Sequence, residues 1–264
     1  MQKATANLAI ILVLLTVITW ATPALAANNC FIAVENGKIL KEEGDCRSRY
    51  APESTFKIVL SLIGFDSGIL QDETHPSWSC GQGCDHHINV CIGNHDPRTW
   101  MRDSCLWYSR ELTTKLGMEK FHKYIRQFQY GNMDLTGDKG QNNGLTNSWL
   151  SNSLDSHSLR ISPLEQTAFL KKLVERQLQI SQESYDKTKN IMFIQEMWGG
   201  WKLYGKSGSG KQNGWFVGYI EKDQRHIVFA SHITGTNKRS APTSFRARHE
   251  AFTHLWYIID RAAL

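Results

Sequence analysis

Residues 54–65 read Ser-Thr-Phe-Lys-Ile-Val-Leu-Ser-Leu-Ile-Gly-Phe, apolar on nearly every side of a helix except at Ser54 and Lys57. This pattern predicts a helix buried at the centre of the protein. Ahead of it, residues 31–42 form two short apolar stretches around Asn36-Gly37, the dipeptide suited to a type I′ turn, and predict a hairpin. Residues 68–96 read as loop. The spacing predicts helices over 97–116 and 118–128, the second ending near Tyr130-Gly131-Asn132. Ser162-Pro163-Leu164-Glu165 is a helix start, with an N-cap serine, proline in the first turn and glutamate at the capping-box position, opening an amphipathic stretch to about Leu178. Another helix is predicted over 181–193. From Trp201 the period changes, and residues 202–204, 214–221 and 226–233 are short aromatic and β-branched segments that predict antiparallel strands. A last helix covers 243–262. Strands at both ends with helices between them imply an α+β fold: an antiparallel sheet formed by N- and C-terminal strands, helices on its faces, and a helical region inserted over about 54–193. With no repeat or low-complexity linker, residues 27–264 read as a single domain.

The first 26 residues stand apart. Lys3 precedes an apolar stretch over 8–20, too short to span a membrane comfortably, and Pro23-Ala24-Leu25-Ala26 supplies the small-x-small pattern of a cleaved secretory signal. Cleavage after Ala26 and export to the periplasm are expected, leaving no stable membrane insertion. Composition adds little: 264 residues, 41% hydrophobic and 21% charged, describe an ordinary globular protein able to bury its own core. The net charge of +5 comes from scattered basic residues, so no nucleic-acid footprint is present. Export matters for the six cysteines, because an oxidising compartment permits disulfides. Cys30 and Cys46 bracket the hairpin and are the expected pair. Cys80, Cys84 and Cys91 lie among His86, His87 and His95 in a polar loop, where a local disulfide is the plainer reading and a zinc site the alternative.

The chemistry begins at Ser54 and Lys57, which share a helix face at i and i+3 and can bring a hydroxyl and an amine within hydrogen-bonding reach. Unpaired N–H groups at the helix start favour developing negative charge at Ser54. This helix leaves no solvated face for Lys57, and burial lowers an amine's pKa, freeing the neutral form to act as a base. Lys206-Ser207-Gly208, followed by Ser209 and Gly210, offers a lysine, a hydroxyl and close backbone approach, as a carboxylate-bearing substrate would need. Taken alone it is an ordinary surface turn.

Together these motifs resemble class D, oxacillinase-type serine β-lactamases, over almost the whole mature chain and least over residues 72–94. Ser54-Thr55-Phe56-Lys57 matches the family's nucleophile motif, Tyr130-Gly131-Asn132 its Tyr-Gly-Asn element, Lys206-Ser207-Gly208 its Lys-Thr/Ser-Gly element, and Trp149 its active-site tryptophan. Ser104-Cys105-Leu106 matches the Ser-x-Val element except that leucine replaces valine. The resemblance implies hydrolysis of penicillins and oxacillin-type β-lactams through a Ser54 acyl-enzyme. Lys57, carboxylated by carbon dioxide, would be the general base, and no metal or other cofactor is implied. It also implies that Trp149 donates to the modified lysine and that Ser104 relays a proton. The backbone N–H groups of Ser54 and Ser209 would form an oxyanion hole. Lys206, Ser207, Gly208 and Arg246 would hold the substrate carboxylate, with Arg248 the alternative to Arg246, and Tyr130, Asn132 and Leu106 are counted among the substrate-binding residues. Leu106 would sit beside the modified lysine and alter water access there. Cys105 reads as buried and inert, although a free thiol is out of place in an exported protein, and Trp215-Phe216 reads as core packing. Two other readings share part of the motif set: a membrane-tethered β-lactam sensor that keeps its acyl group, and a peptidoglycan DD-peptidase.

Overall fold

The computed structural model describes residues 29–80, 89–151, 158–235 and 242–261. The expected signal segment, Cys84, His86, His87 and position 262 lie outside the described residues. Strands β1 (Cys30–Glu35) and β2 (Lys38–Gly44) form the predicted hairpin, with Asn36 and Gly37 both at positive φ (51° and 80°) as a type I′ turn requires. A 3₁₀ turn over Glu53–Phe56 feeds α1 (Lys57–Asp66). The short strands β3 (Trp78–Ser79) and β4 (Asn94–His95) pair within the stretch expected to be loop. The helices α2 (Pro97–Asp103), α3 (Leu106–Leu116), α4 (Met118–Phe128), the single turn α5 (Gly144–Asn147), α6 (Pro163–Val174) and α7 (Gln182–Met192) follow. The chain returns through β5 (Phe193–Glu196), β6 (Lys202–Ser209), β7 (Asn213–Lys222) and β8 (Arg225–Thr234) to α8 (Thr243–Arg261).

One antiparallel sheet in the order β2-β1-β8-β7-β6-β5 joins the two ends of the chain, as the segment order implied. Period-two alternation gives the sheet two apolar faces. Phe31, Leu203, Phe216, Ile220 and Phe229 pack under α8, while Ile32, Tyr204, Val217, Tyr219 and Val228 face the helical region. Trp215 and Phe216 are both buried. Helix α1 runs through the helical core with Ile58, Val59, Leu60, Leu62 and Ile63 all buried, so truncating Leu60 to alanine costs about 2–5 kcal/mol. Ser162 caps α6 through the reciprocal bonds of a capping box with Glu165.

Several boundaries differ from the sequence reading, among them the end of α6 at Val174 instead of near Leu178. The helix expected over 97–116 breaks at Ser104, which has φ 68°, and at the extended Cys105, so α2 and α3 are separate. Periodicity does not detect a one-residue left-handed turn placed between two good helices. The strand expected over 202–204 continues to Ser209, with Lys206 opposite Val217 and Gly208 opposite Trp215. Its glycines and serines carry no strand propensity, and pairing with β7 supplies the order instead. Ser54 lies in a 3₁₀ turn preceding α1, not within the α-helix itself.

Candidate active site

The nucleophile turn is fixed from several sides. The Glu53 N–H donates to the Trp149 carbonyl (3.0 Å), Thr55 Oγ1 donates to the Pro52 carbonyl (2.6 Å), and Gln166 Nε2 donates to Thr55 Oγ1 (3.2 Å). Trp215 Nε1, from β7, donates to the Ala51 carbonyl at 2.9 Å. Phe56 stacks on Trp149 with ring centroids 5.4 Å apart and meets Tyr130 at 5.5 Å. In this setting Lys57 Nζ lies 3.2 Å from Ser54 Oγ, the contact that the i, i+3 spacing predicts.

Lys57 is only 1% exposed. Burial, reinforced by the fields of Lys206 and Arg110 and opposed by Glu53, holds its pKa well below the usual lysine value. Burial therefore favours the neutral amine, the form that offers a lone pair to the Ser54 hydroxyl proton. Lys206, also buried, is lowered to about 8 by desolvation first and the nearby Arg248 guanidinium second, and its ammonium donates to the Ser207 carbonyl at 2.9 Å.

Strand β6 passes directly over the nucleophile. A methyl group added at Gly208 would lie 3.1 Å from both the Ser54 and Thr55 backbone nitrogens, so glycine here permits the close approach of β6 to the nucleophile turn. Ser209 Oγ donates to Ser244 Oγ at 2.6 Å, tying the end of β6 to the start of α8. Ser104 is half-buried at the left-handed turn between α2 and α3, and Leu106, the first residue of α3, packs partly buried against the helical core.

A cleft of about 720 Å³ opens beside β6, lined by Arg98 and Met101 of α2, Tyr204, Lys206 and Ser207 of β6, and Arg248 of α8. Arg248, not Arg246, accompanies Lys206. Arg246 lies in a separate groove with Asn29, Ile233 and His249, because two residues along a helix turn a side chain by about 200°. Tyr130 is fully buried among Phe56 and Phe169, and its phenol is pushed far above the ordinary range by desolvation. Asn132 uses its side chain to donate to the Ser158 carbonyl (3.0 Å) and to accept from the Arg160 N–H (2.8 Å). Tyr130 and the side-chain bonds of Asn132 brace the region behind the nucleophile.

Sequence reasoning missed several neighbours. Glu53, immediately before the nucleophile, is 3% exposed at a positive φ of 52°. Its carboxylate accepts from the Ser151 N–H (3.1 Å) and from the Ser151 hydroxyl, and burial raises its pKa to about 7. Arg110 donates through Nε and Nη2 to Asn147 Oδ1 (3.2 and 2.8 Å), holding α5 and the Trp149 segment against α3. Its place one helical turn after Leu106 was the available signal. The cysteines also differ. Cys30 and Cys46 are bridged as expected, whereas Cys105 is bridged to Cys91 and is not a free thiol. Cys80 is likewise disulfide-bonded, so the zinc alternative for this loop finds no free thiolate among the described residues.

The family model for the penicillin binding protein transpeptidase domain matches residues 28–254. The chain is 37% identical over 249 residues to β-lactamase OXA-1 of Escherichia coli, covering 90% of this chain and 87% of the relative. It is 37% identical over 234 residues to β-lactamase OXA-9 of Klebsiella pneumoniae, covering 83% of each. The crystal structure of the OXA-427 class D β-lactamase superposes with a TM-score of 0.82 at 36% identity, over 88% of this chain and 99% of that one. A likeness this extensive, in sequence and in fold, makes the chain a member of the class D β-lactamases.

Proposed function

We propose that the protein hydrolyses β-lactam antibiotics of the penicillin and oxacillin type through an acyl-enzyme on Ser54. The observation that carries this reading is the 3.2 Å contact between Ser54 Oγ and the Nζ of a buried Lys57 whose pKa is held well below the usual lysine value. Ser54 Oγ attacks the lactam carbonyl carbon as its proton leaves toward Lys57. The carbonyl–nitrogen bond breaks, the departing nitrogen takes a proton through Ser104, and an ester remains on Ser54. Water activated by the same base then releases the penicilloic product and restores the hydroxyl. Backbone N–H groups of Ser54 and Ser209 stabilise the oxyanion, each worth about 3 kcal/mol in such sites. Lys206, Ser207 and Arg248 receive the substrate carboxylate.

Carbon dioxide adds only to a neutral amine, and burial favours that form at Lys57. The positive fields of Lys206 and Arg110 that already bear on Lys57 suit an anionic carbamate there. Carboxylated, Lys57 would supply a well-placed base for both steps, with Trp149 donating its indole N–H to hold it. The mechanism calls on no metal. Residues 27–264 form the catalytic domain, and residues 1–26 direct it to the periplasm.

Turnover of a chromogenic β-lactam by the mature protein tests this reading. Turnover that rises with bicarbonate and disappears in Lys57→Ala supports it. Stoichiometric acylation of Ser54 without turnover, at any bicarbonate concentration, overturns it in favour of a sensor or a transpeptidase-like protein.

A further inference from the structure

The cleft beside β6 is longer than a single carboxylate needs. Strand β5 pairs with β6 over residues 202–204, and from Gly205 to Ser207 the edge of β6 that faces away from β7 lines the cleft. The nucleophile turn lies against Gly208, and Ser207 and Lys206 are the next residues back along the strand. The cleft, about 720 Å³ in volume, continues past them to Tyr204, to Phe193 of β5 and to Arg98 of α2. None of these far residues has a part in the reaction at Ser54.

This far part is basic. Arg98 from α2 and Lys202 from β6 are exposed on the lining, and among the described residues neither side chain makes a hydrogen bond or an ion pair. Arg102 lines the cleft too, but it is held by Asp103 through two hydrogen bonds of 2.7 Å. Among the described residues, Glu196 is the only acid on a lining that also carries Lys206 and Arg248. A cleft lined by one sign of charge focuses its field and draws in the opposite charge. One wall is aromatic: Phe193 is 46% exposed and meets Tyr204 edge-on, with ring centroids 5.6 Å apart. An exposed aromatic face beside unpaired cations suits a flat ring that carries a negative group.

Substrate chemistry fixes what reaches that part. In a bicyclic β-lactam the carbonyl carbon is bonded to the ring nitrogen, and the nitrogen to the carbon that bears the carboxylate. In a cephalosporin the next ring carbon carries a variable substituent. With the carbonyl at Ser54 and the carboxylate at Lys206 and Ser207, that substituent continues along β6 toward Tyr204, whereas the acylamino side chain, on the other side of the carbonyl, runs the opposite way. We propose that the cleft beyond Lys206 is a subsite for an anionic heteroaromatic substituent at this ring carbon, its ring against Phe193 and its charge on Arg98 and Lys202. The proposal rests on β-lactam hydrolysis at Ser54 and names the substrate subclass that the site favours.

Two cephalosporins alike except for the tetrazole carried at this position, N-methyl in one and N-sulfomethyl in the other, would be run as competitors against a chromogenic penicillin. The sulfonate compound is expected to compete about fivefold more tightly at low ionic strength, the scale of two exposed charge pairs. The advantage should shrink as salt screens it. Arg98→Gln and Lys202→Gln should each cut the ratio about twofold, and the double variant should bring it to about one. Lys120→Gln, which removes an exposed charge from α4 away from the cleft, should leave the ratio as it is. Phe193→Ala should weaken both compounds alike; unchanged competition in that variant overturns the placement of the ring. Equal competition by the two compounds in the wild type overturns the proposal, as does a preference that survives in the double variant or that Lys120→Gln abolishes. Equal competition with normal penicillin turnover removes the subsite alone, whereas absence of penicillin turnover removes hydrolysis at Ser54 and the subsite with it.

Discussion

Glu53→Gln is the perturbation that most directly tests the electrostatics around the nucleophile. Glu53 is buried beside Ser54, and desolvation raises its carboxyl from an ordinary 4.5 to about 7 despite the bonds from Ser151 and the field of Lys57, which pull it down. A carboxyl whose folded pKa is raised lowers stability as pH rises. Between about 4.5 and 7 the unfolded chain has already released the proton that the folded chain still holds, so folding loses about 1.4 kcal/mol per pH unit. Above 7 the loss is complete at about 3 kcal/mol. Glutamine retains the shape and the acceptor for the Ser151 N–H but does not titrate. The variant should match the wild type near pH 4.5 and exceed it increasingly up to pH 8, where its Tm should be higher by roughly 6–12 °C for a domain of this size. Denaturant unfolding followed by circular dichroism at half-unit pH intervals gives the difference curve directly, and other titrating groups cancel in it. Parallel curves for the two proteins would refute the reasoning, since they would mean that Glu53 ionises as freely in the folded state as in the unfolded one.

Other expectations follow from the same geometry. Arg248→Ala should raise KM for penicillins about tenfold or more, while Arg246→Ala should leave KM within twofold, because only Arg248 shares the cleft with Lys206; equal effects in steady-state assays would return the role to Arg246. Gly208→Ala places a methyl group 3.1 Å from the Ser54 and Thr55 nitrogens and should lower kcat about 10²-fold, the scale of losing one oxyanion donor. Its Tm should stay near wild type, and an unchanged kcat would mean that β6 can move aside without cost.

The parts of the fold that repeat along the chain were legible: the buried period of α1, the type I′ turn, the capping box of α6 and the change to period two after Trp201. The Ser54–Lys57 contact was legible because it spans a single helical turn. What escaped depends on where segments far apart in sequence meet. Glu53 reads as an ordinary surface acid until Ser151, 98 residues on, is seen to donate to it. The partner of Cys105 lies across a loop whose path no periodicity encodes. The choice between Arg246 and Arg248 depends on the rotation of α8 about its own axis relative to β6, and Ala247, Ala251 and Leu255 set that rotation by packing beneath the sheet.

The same choice of arginine bears on the pH dependence of substrate capture. Lys206 is lowered to about 8, by desolvation first and by Arg248 second, with Asp103 opposing. Its ammonium is therefore the form present below pH 8, and the free enzyme loses that charge as pH rises through 8. Since kcat/KM reports ionisations of the free enzyme, its alkaline limb should fall near pH 8 for substrates that carry a carboxylate. The change should appear chiefly in KM, because a bound carboxylate favours the charged lysine and moves its titration higher in the complex. Replacing Arg248 by glutamine removes one of the two influences that lower Lys206, so the variant should bind more weakly at neutral pH yet keep its residual kcat/KM to higher pH. The displacement should be only part of the way to an ordinary lysine, because desolvation is the larger influence and remains. A weakened variant whose alkaline limb stays in place would separate the two arginine effects and show that Arg248 acts on the substrate without acting on Lys206.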